Sequence, residues 1–115
     1  MAKSILQDTR ECVLTGYNGD YLDKHHIFGA ANRTKSEKMG LWVYVFKGLH
    51  NNNPKSIHED MELNLMLKKW AQRLCMEKYD MTVEDFIREF GKNYLLEDSD
   101  YDINPPFGRE FCIEI

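Results

Sequence analysis

The sequence predicts one α+β domain in which two short strands precede a long helix and a shorter one. The clearest strand is the run LWVYVF at residues 41–46, because β-branched and aromatic residues favour extended structure. Residues 21–28 form a second candidate strand, which Gly29 ends. A helix is indicated by apolar residues that recur every three or four positions: Leu63, Leu67, Trp70 and Leu74. At 115 residues the chain is long enough to bury a core without a metal or a disulfide.

The long helix has a recognisable start. Ser56 and Glu59 form a capping box, so this helix is expected to run from Ser56 to about Lys78. Residues 48–55 contain successive asparagines and a proline and are expected to form a loop. The polar, basic residues 30–40 are expected to form another loop, between the two strands.

A second capping signal opens the shorter helix. Thr82 and Asp85 stand at the spacing of a capping box, and Gly91 is the expected stop. The residues expected on the buried side of this helix are Phe86, Ile87 and Phe90. From Glu97 onward the apolar residues show no helical or strand periodicity, and no regular element is predicted there.

Charge is distributed unevenly along the chain. The formal net charge is −4, yet residues 24–55 hold six basic residues against one acidic residue, Glu37. Residues 97–115 hold six acidic residues against one basic residue, Arg109. We therefore divide the chain into a first unit, residues 1–96, and an acidic C-terminal extension, residues 97–115. The cationic segment suits contact with nucleic acid, the alternative being a solvated basic face.

The cysteines and the start of the chain point to a reducing compartment. Three widely spaced cysteines, Cys12, Cys75 and Cys112, provide neither a disulfide framework nor a complete zinc site, so reduced thiols are expected. The first residues lack the apolar core of a secretion signal, and the longest apolar run, residues 41–46, is too short to span a bilayer. We expect a cytoplasmic protein with no membrane partner.

All four histidines lie within residues 25–58. His25 and His26 are adjacent on a candidate strand, so their side chains point to opposite faces, and one can bind a metal while the other faces a substrate. His50 lies in the asparagine-rich loop and His58 at the predicted helix start. A strand–loop–helix fold would gather His25, His50 and His58 around one divalent ion. Histidines that only fill core or surface positions are the alternative.

These residue types suit phosphodiester hydrolysis. His26, neutral at physiological pH, would take a proton from the attacking water. A single divalent ion, Mg²⁺ or Mn²⁺, would stabilise the charge on the transition state and on the leaving oxygen. Arg33, Lys35 and Lys38 would neutralise the DNA backbone without reading its sequence.

The residues around the histidines also resemble a known family. The string DKHHIFGAANRTKSEKMGLWVYVFKGLHNNNPKSIHEDMELNLMLKKWAQ is similar to the pattern of small HNH (His-Me finger) proteins of phages and prophages, which reads HHIFGG-x-NR, then SEK-x-GL, HHN and VH. The resemblance covers about residues 12–95 and includes FIREFGKNYL. It implies a ββα-metal core, in which a β-hairpin and a helix clasp a divalent ion, here with an additional C-terminal helix and the acidic tail.

The resemblance implies a role for each matched position. His25 matches the first metal ligand and His26 the general base. His50 matches the later ligand histidine, and His58 matches the histidine at the helix start. Asn51 corresponds to the family's asparagine, which is either a ligand or a residue that fixes the loop. The implied activity is that of a metal-dependent DNA endonuclease in the cytoplasm of a bacterial host cell.

The sequence departs from the family at a structural zinc site. Many members hold this zinc between two pairs of cysteines. Here Cys12 matches one ligand, whereas the other positions carry Thr15, Phe46 and Leu49. Phenylalanine and leucine offer no ligand atom, so a structural zinc is not expected. Packing of Phe46 and Leu49 is expected in its place.

Two functions of different kinds follow. The first is a DNA endonuclease with little sequence specificity. The second is a phage protein that uses a borrowed HNH scaffold to bind or inhibit a host nuclease or nucleic-acid complex. It is favoured by the lost zinc ligands, the sequence pI of about 5.5 and the acidic tail, which could engage a protein partner or simply aid solubility. A structural role, for example in head assembly, is a third alternative. The pair His25 and His26 favours the nuclease, because a binding scaffold needs neither a ligand nor a base.

Overall fold

The fold is an α+β arrangement of a two-stranded sheet with short and long helices around it. A computed structural model describes residues 3–50 and 60–105. Its elements follow in the order β1 (Leu22–His26), α1 (Arg33–Lys38), β2 (Trp42–Phe46), α2 (Lys47–His50), α3 (Met61–Lys78) and α4 (Val83–Phe90), with 3₁₀ turns at Ala30–Asn32 and Asp98–Asp102. In these two stretches no helix has both the length and the apolar content needed to cross a bilayer.

The two strands pair antiparallel, and their register decides which histidine faces the core. His25 lies opposite Val43, and His26 lies opposite Trp42. Because side chains alternate along a strand, His25 and Val43 share the inner face of the sheet, and His26 and Trp42 share the other. Both predicted strands are confirmed, although each is shorter than the sequence run that indicated it.

The segment between the strands is helical, so the prediction of a loop at residues 30–40 is wrong. A 3₁₀ turn leads into α1, in which the only buried residue is Ser36. The Ser36 hydroxyl donates to the Leu41 carbonyl at 2.5 Å and accepts from the Phe28 amide at 3.3 Å. A short helix that buries only one small polar residue has no apolar stripe, and its sequence therefore resembles a loop.

The chain after β2 turns directly into the helical turn α2. Leu49 is buried there, and His50 is the last residue of the turn. The predicted loop at residues 48–55 is therefore wrong for its first three positions. Residues 51–59 lie outside the described part of the chain.

The long helix α3 begins later than predicted. Asp60, not Ser56, is its N-cap: Asp60 has extended backbone angles, φ −99° and ψ 98°, and its carboxylate accepts from the Leu63 amide at 3.0 Å. The first helical residue is therefore Met61. The predicted end at Lys78 is confirmed.

The caps of α4 are those the sequence predicted. The Thr82 hydroxyl accepts from the Asp85 amide at 3.1 Å, and the Asp85 carboxylate accepts from the Thr82 amide at 3.0 Å. Gly91 follows in the left-handed region at φ 87°. A residue with a Cβ is disfavoured there, which explains why the helix ends at a glycine.

The buried face of α4 is narrower than predicted. Phe86 and Phe90, one turn apart, are 0% and 5% exposed and stack with ring centroids 4.7 Å apart. Phe28, just beyond β1, contacts both rings. Ile87 is 40% exposed, so its prediction as a buried residue is wrong. It lies about 100° around the helix from Phe86, outside the stripe that faces the core.

The residues after 96 pack back onto α3. Asp100 is buried, and its carboxylate accepts from Lys69 Nζ at 2.8 Å and from the amides of Leu96 and Glu97. The bond from Lys69 holds the pKa of Asp100 below its usual value. No regular element was predicted after Glu97, and this prediction is wrong for residues Asp98–Asp102, which form a 3₁₀ turn. The division of the chain between residues 96 and 97 stays a prediction.

One apolar core joins the inner face of the sheet to α3 and α4. Its most completely buried members are Cys12, Leu41, Val43, Val45, Leu63, Leu67, Ala71, Cys75 and Phe86. The strand residues thus hold β1 and β2 against the long helix, which fixes the direction of every β1 side chain.

We predict that Phe86→Ala lowers the free energy of unfolding by about 3–5 kcal/mol, because it leaves a cavity under a fully buried ring. The neighbouring Ile87→Ala, on the exposed side of the same turn, should cost less than about 1 kcal/mol. Urea unfolding monitored by circular dichroism measures both values. Equal losses for the two variants would contradict the described orientation of α4.

Candidate functional site

His25 lies on the inner face of the sheet, in contact with His50. The His25 residue is 4% exposed. Its ring meets the His50 ring edge to face, with centroids 5.3 Å apart and an interplanar angle of 79°. Because α2 follows β2 without an intervening loop, the strand pairing itself brings His50 back beside β1. Two predicted metal ligands that are distant in sequence are therefore neighbours.

Asp23 provides a polar partner on the same face. It lies two residues before His25 on β1, and its carboxylate is 3.2 Å from His50 Nδ1. A carboxylate accepts hydrogen bonds, so this contact favours the His50 tautomer with the proton on Nδ1 and the lone pair on Nε2. A carboxylate behind an imidazole is the usual outer partner of a metal-binding histidine.

The pair of imidazoles fits part of a metal site. Within residues 3–50 and 60–105, no group of three or more His, Cys, Asp or Glu side chains is arranged to hold one ion. His25 and His50 are two neighbouring imidazoles, a side-chain type that commonly binds transition metals. The other predicted members, Asn51 and His58, lie outside the described residues. Two imidazoles suit a divalent ion whose remaining positions are filled by water or phosphate oxygens.

His26 lies on the opposite face of the sheet, next to Glu37 of α1. Its Nε2 atom is 3.2 Å from Glu37 Oε1. Lys24, two residues earlier on the same face, donates to both oxygens of Glu37 at 2.6 and 2.7 Å. The Lys24 ammonium also lies 4.0 Å from the centroid of the Trp42 ring. These contacts fix one carboxylate between a lysine and a histidine.

An ionised Glu37 favours one of the two ring nitrogens of His26 as the donor. The hydrogen bond from Lys24 lowers the pKa of Glu37 and outweighs desolvation, and His26 lowers it further. Glu37 is therefore an ionised acceptor at neutral pH. The contact favours a proton on Nε2 of His26, which leaves the lone pair on Nδ1.

A cationic cleft lies next to His26. Its volume is about 380 Å³, and it is lined by His26, Arg33, Thr34, Glu37 and Lys38. Arg33 and Lys38 are exposed side chains at the two ends of α1. Their position beside His26 means that a phosphate drawn by these cations would approach the imidazole.

Lys35 is turned away from this cleft, towards α4. Its ammonium donates to the Glu89 carbonyl at 2.6 Å and lies 3.5 Å from a Glu89 carboxylate oxygen. Of the three cations predicted to bind DNA, two thus lie with His26, whereas Lys35 connects α1 to α4.

The positions that match zinc ligands in the HNH pattern are packed by apolar groups. Cys12 and Leu49 are 1% and 5% exposed within the core. Phe46 meets Tyr17 edge to face at 5.0 Å. The Thr15 hydroxyl accepts from the Tyr17 amide at 3.2 Å and stabilises the local turn. Apolar contacts thus connect the segment around Cys12 and Tyr17 to the end of β2.

Three residues of this site escaped the sequence reasoning: Asp23, Lys24 and Glu37. The period-two spacing of β1 was the available signal, since it places Asp23 with His25 and Lys24 with His26. For Glu37 the signal was its position as the single acid in a basic segment. The contact between Glu37 and His26 depends on the helix α1, which the sequence did not predict.

Comparison of the chain with protein-family models, with curated proteins and with solved structures finds no match. The resemblance to HNH proteins therefore stays a prediction from the quoted motifs. The geometry around His25 and His26 is an observation independent of that resemblance.

We predict that His50→Ala weakens Mn²⁺ binding by more than about 100-fold, and that Asp23→Asn weakens it by about 10- to 100-fold through the orientation of His50. Isothermal titration calorimetry measures both. His26→Ala is the matched control, because His26 lies on the other face and should leave affinity within twofold. Equal weakening in all three variants would contradict the separation of the two faces.

Proposed function

We propose that this protein is a metal-dependent endonuclease that hydrolyses phosphodiester bonds of DNA through a ββα-metal core. The observation that carries this proposal is that the two histidines of β1 face opposite sides of the sheet and have different neighbours. His25 joins His50 and Asp23 on the inner face, while His26 faces a cationic cleft on the other. The consecutive residues His25 and His26 thus offer one metal ligand and one base, which are the two kinds of group that single-metal phosphodiester hydrolysis uses.

His26 is the proposed general base, with Nδ1 as the accepting atom. Glu37 holds Nε2–H at 3.2 Å, so that the lone pair of Nδ1 can take a proton from water. The side chain of His26 is only 12% exposed, which restricts its rotation. Glu37 is a positioning residue here, because it acts on the substrate only through His26.

Arg33 and Lys38 are the proposed phosphate-binding residues. Both are exposed at the cleft that His26 lines, and neither has an ion-pair partner among the described residues. Cations that are not neutralised within the protein can replace the counterions of a DNA backbone. Such contacts position the strand without reading bases, which agrees with the expected lack of sequence specificity.

His25 and His50 are the proposed metal ligands, and His58 is the predicted third. A bound Mg²⁺ or Mn²⁺ would supply stabilisation of the negative charge on the phosphate and on the leaving oxygen. The chain's own contribution is to hold two imidazoles 5.3 Å apart with Asp23 behind one of them. The buried inner face keeps these rings in one arrangement.

We predict that His26→Ala lowers the rate of plasmid nicking in Mg²⁺ or Mn²⁺ by about 10²- to 10⁴-fold, the range for loss of a general base. Agarose gel analysis of supercoiled plasmid measures the rate, with EDTA as the metal-free control and circular dichroism as the check on folding. Undiminished nicking by His26→Ala would exclude His26 as the base. No nicking by folded wild type in either metal would instead favour a binding protein on this scaffold.

We predict that Arg33→Ala weakens DNA binding about tenfold and reduces the salt dependence of binding by about one unit of the log–log slope. Lys35→Ala, in the same helix but directed towards Glu89, should leave affinity within twofold. Fluorescence anisotropy with a labelled oligonucleotide in EDTA measures both. An equal effect of the two substitutions would show that charge alone, and not the cleft, governs binding.

A further inference from the structure

A second cleft lies between the first half of α3 and the segment that follows α4. We call it the Tyr94 cleft. Its volume is about 510 Å³, and it is lined by Met61, Glu62, Asn64, Leu65, Lys68, Lys92 and Tyr94. It shares no lining residue with the cleft at His26.

Two lysines converge on one aromatic ring in this cleft. Lys68 Nζ lies 5.5 Å and Lys92 Nζ lies 5.3 Å from the centroid of the Tyr94 ring. Within residues 3–50 and 60–105, neither ammonium has a carboxylate partner. Burial, and secondly the nearby Lys92, lower the pKa of Lys68. The pair therefore lies in a position where a bound anion would remove a like-charge repulsion.

The Tyr94 cleft also has exposed apolar side chains beside its two lysines. Met61 is 85% exposed and Leu65 is 40% exposed, one turn apart on the stripe of α3 that continues to Lys68. Glu62 is the one acidic residue among those that line the cleft. A ligand that fits this surface carries negative charge and also has a flat or apolar part. Nucleic acid meets both conditions, since lysines track its phosphates and aromatic side chains pack against its bases.

The Tyr94 cleft is connected to the proposed active site by direct packing. The Tyr94 ring lies 5.7 Å from the Phe28 ring, centroid to centroid. Phe28 follows His26 by two residues, so their Cα atoms are at most about 7 Å apart. Asn32, beside Arg33, donates to the Phe90 carbonyl at 3.0 Å and joins the same region to α4. Phe28 and Asn32 thus connect the segments that carry the two clefts through the core and α4.

We propose that the Tyr94 cleft is a second nucleic-acid contact, in which Lys68 and Lys92 hold a backbone phosphate on one side of the strand that enters the cleft at His26. This inference rests on the proposed function for its choice of ligand. It adds a binding surface that lies outside the HNH-like histidine constellation. An acidic peptide is the competing ligand of similar charge, and the experiment separates the two.

The test measures binding without turnover. A fluorescein-labelled single-stranded oligonucleotide is titrated in EDTA with His26→Ala protein, and anisotropy gives the Kd. We expect Lys68→Gln/Lys92→Gln to raise the Kd about tenfold and to lower the slope of log K against log salt by about one. The matched control is Lys78→Gln/Arg88→Gln, which removes the same charge from exposed positions outside the cleft and should change the Kd less than twofold.

Each outcome has one meaning. A Kd of the Lys68/Lys92 variant within twofold of its parent overturns the inference, as does an equal effect of the control pair. Polyglutamate binding that is lost in Lys68→Gln/Lys92→Gln, with oligonucleotide binding unchanged, also overturns it and assigns the cleft to an acidic protein. Lys92→Gln alone, at an exposed position, guards against misfolding and should show part of the effect. Failure of wild type to nick DNA contradicts the proposed function but leaves this binding measurement intact.

Discussion

The register between β1 and β2 is the constraint on which the rest of the molecule depends. It pairs His25 with Val43 and His26 with Trp42. A slip of one residue would move every β1 side chain to the other face of the sheet. His26 would then enter the core, and His25 would face solvent. The same slip would carry the charged Lys24 towards the core, whereas turning β2 over instead would expose Val43 and Val45, which are both 0% exposed. The apolar pattern of β2 therefore fixes the direction of both histidines.

Two ionisable groups of the domain, Glu37 and Cys75, have pKa values shifted in opposite directions by their surroundings. Glu37 contacts Lys24 at 2.6 Å and His26 at 3.2 Å. The hydrogen bond from Lys24 is the largest cause of the lowered pKa of Glu37. Glu37 is therefore ionised at neutral pH. Cys75 presents the opposite case. Its burial raises the thiol pKa to about 11, which makes it an unreactive core residue.

The same core explains how the chain holds its shape at the positions where HNH proteins place zinc ligands. Tyr17, Phe46 and Leu49 pack with Cys12 against the sheet. Farther along, Asp100 binds Lys69 and returns the acidic segment to α3. An acidic stretch that carries its own buried anchor behaves as part of the domain surface, at least as far as residue 105. Apolar packing connects the first of these segments to the sheet, and an ion pair connects the second to α3.

The sequence by itself determined the strands, the α3 and α4 helices, the Gly91 stop and the alternation that separates His25 from His26. These features depend on local patterns of apolar residues, capping side chains and backbone preference. The tertiary structure alone decided that α1 is a helix, that Asp60 caps α3, that Ile87 is exposed and that Glu37 and Asp23 contact histidines. These four features depend on how the helices and strands pack against one another. The distance between Asp23 and His50, or between Lys68 and Lys92, is set by strand pairing and helix packing, and no spacing along the chain encodes it.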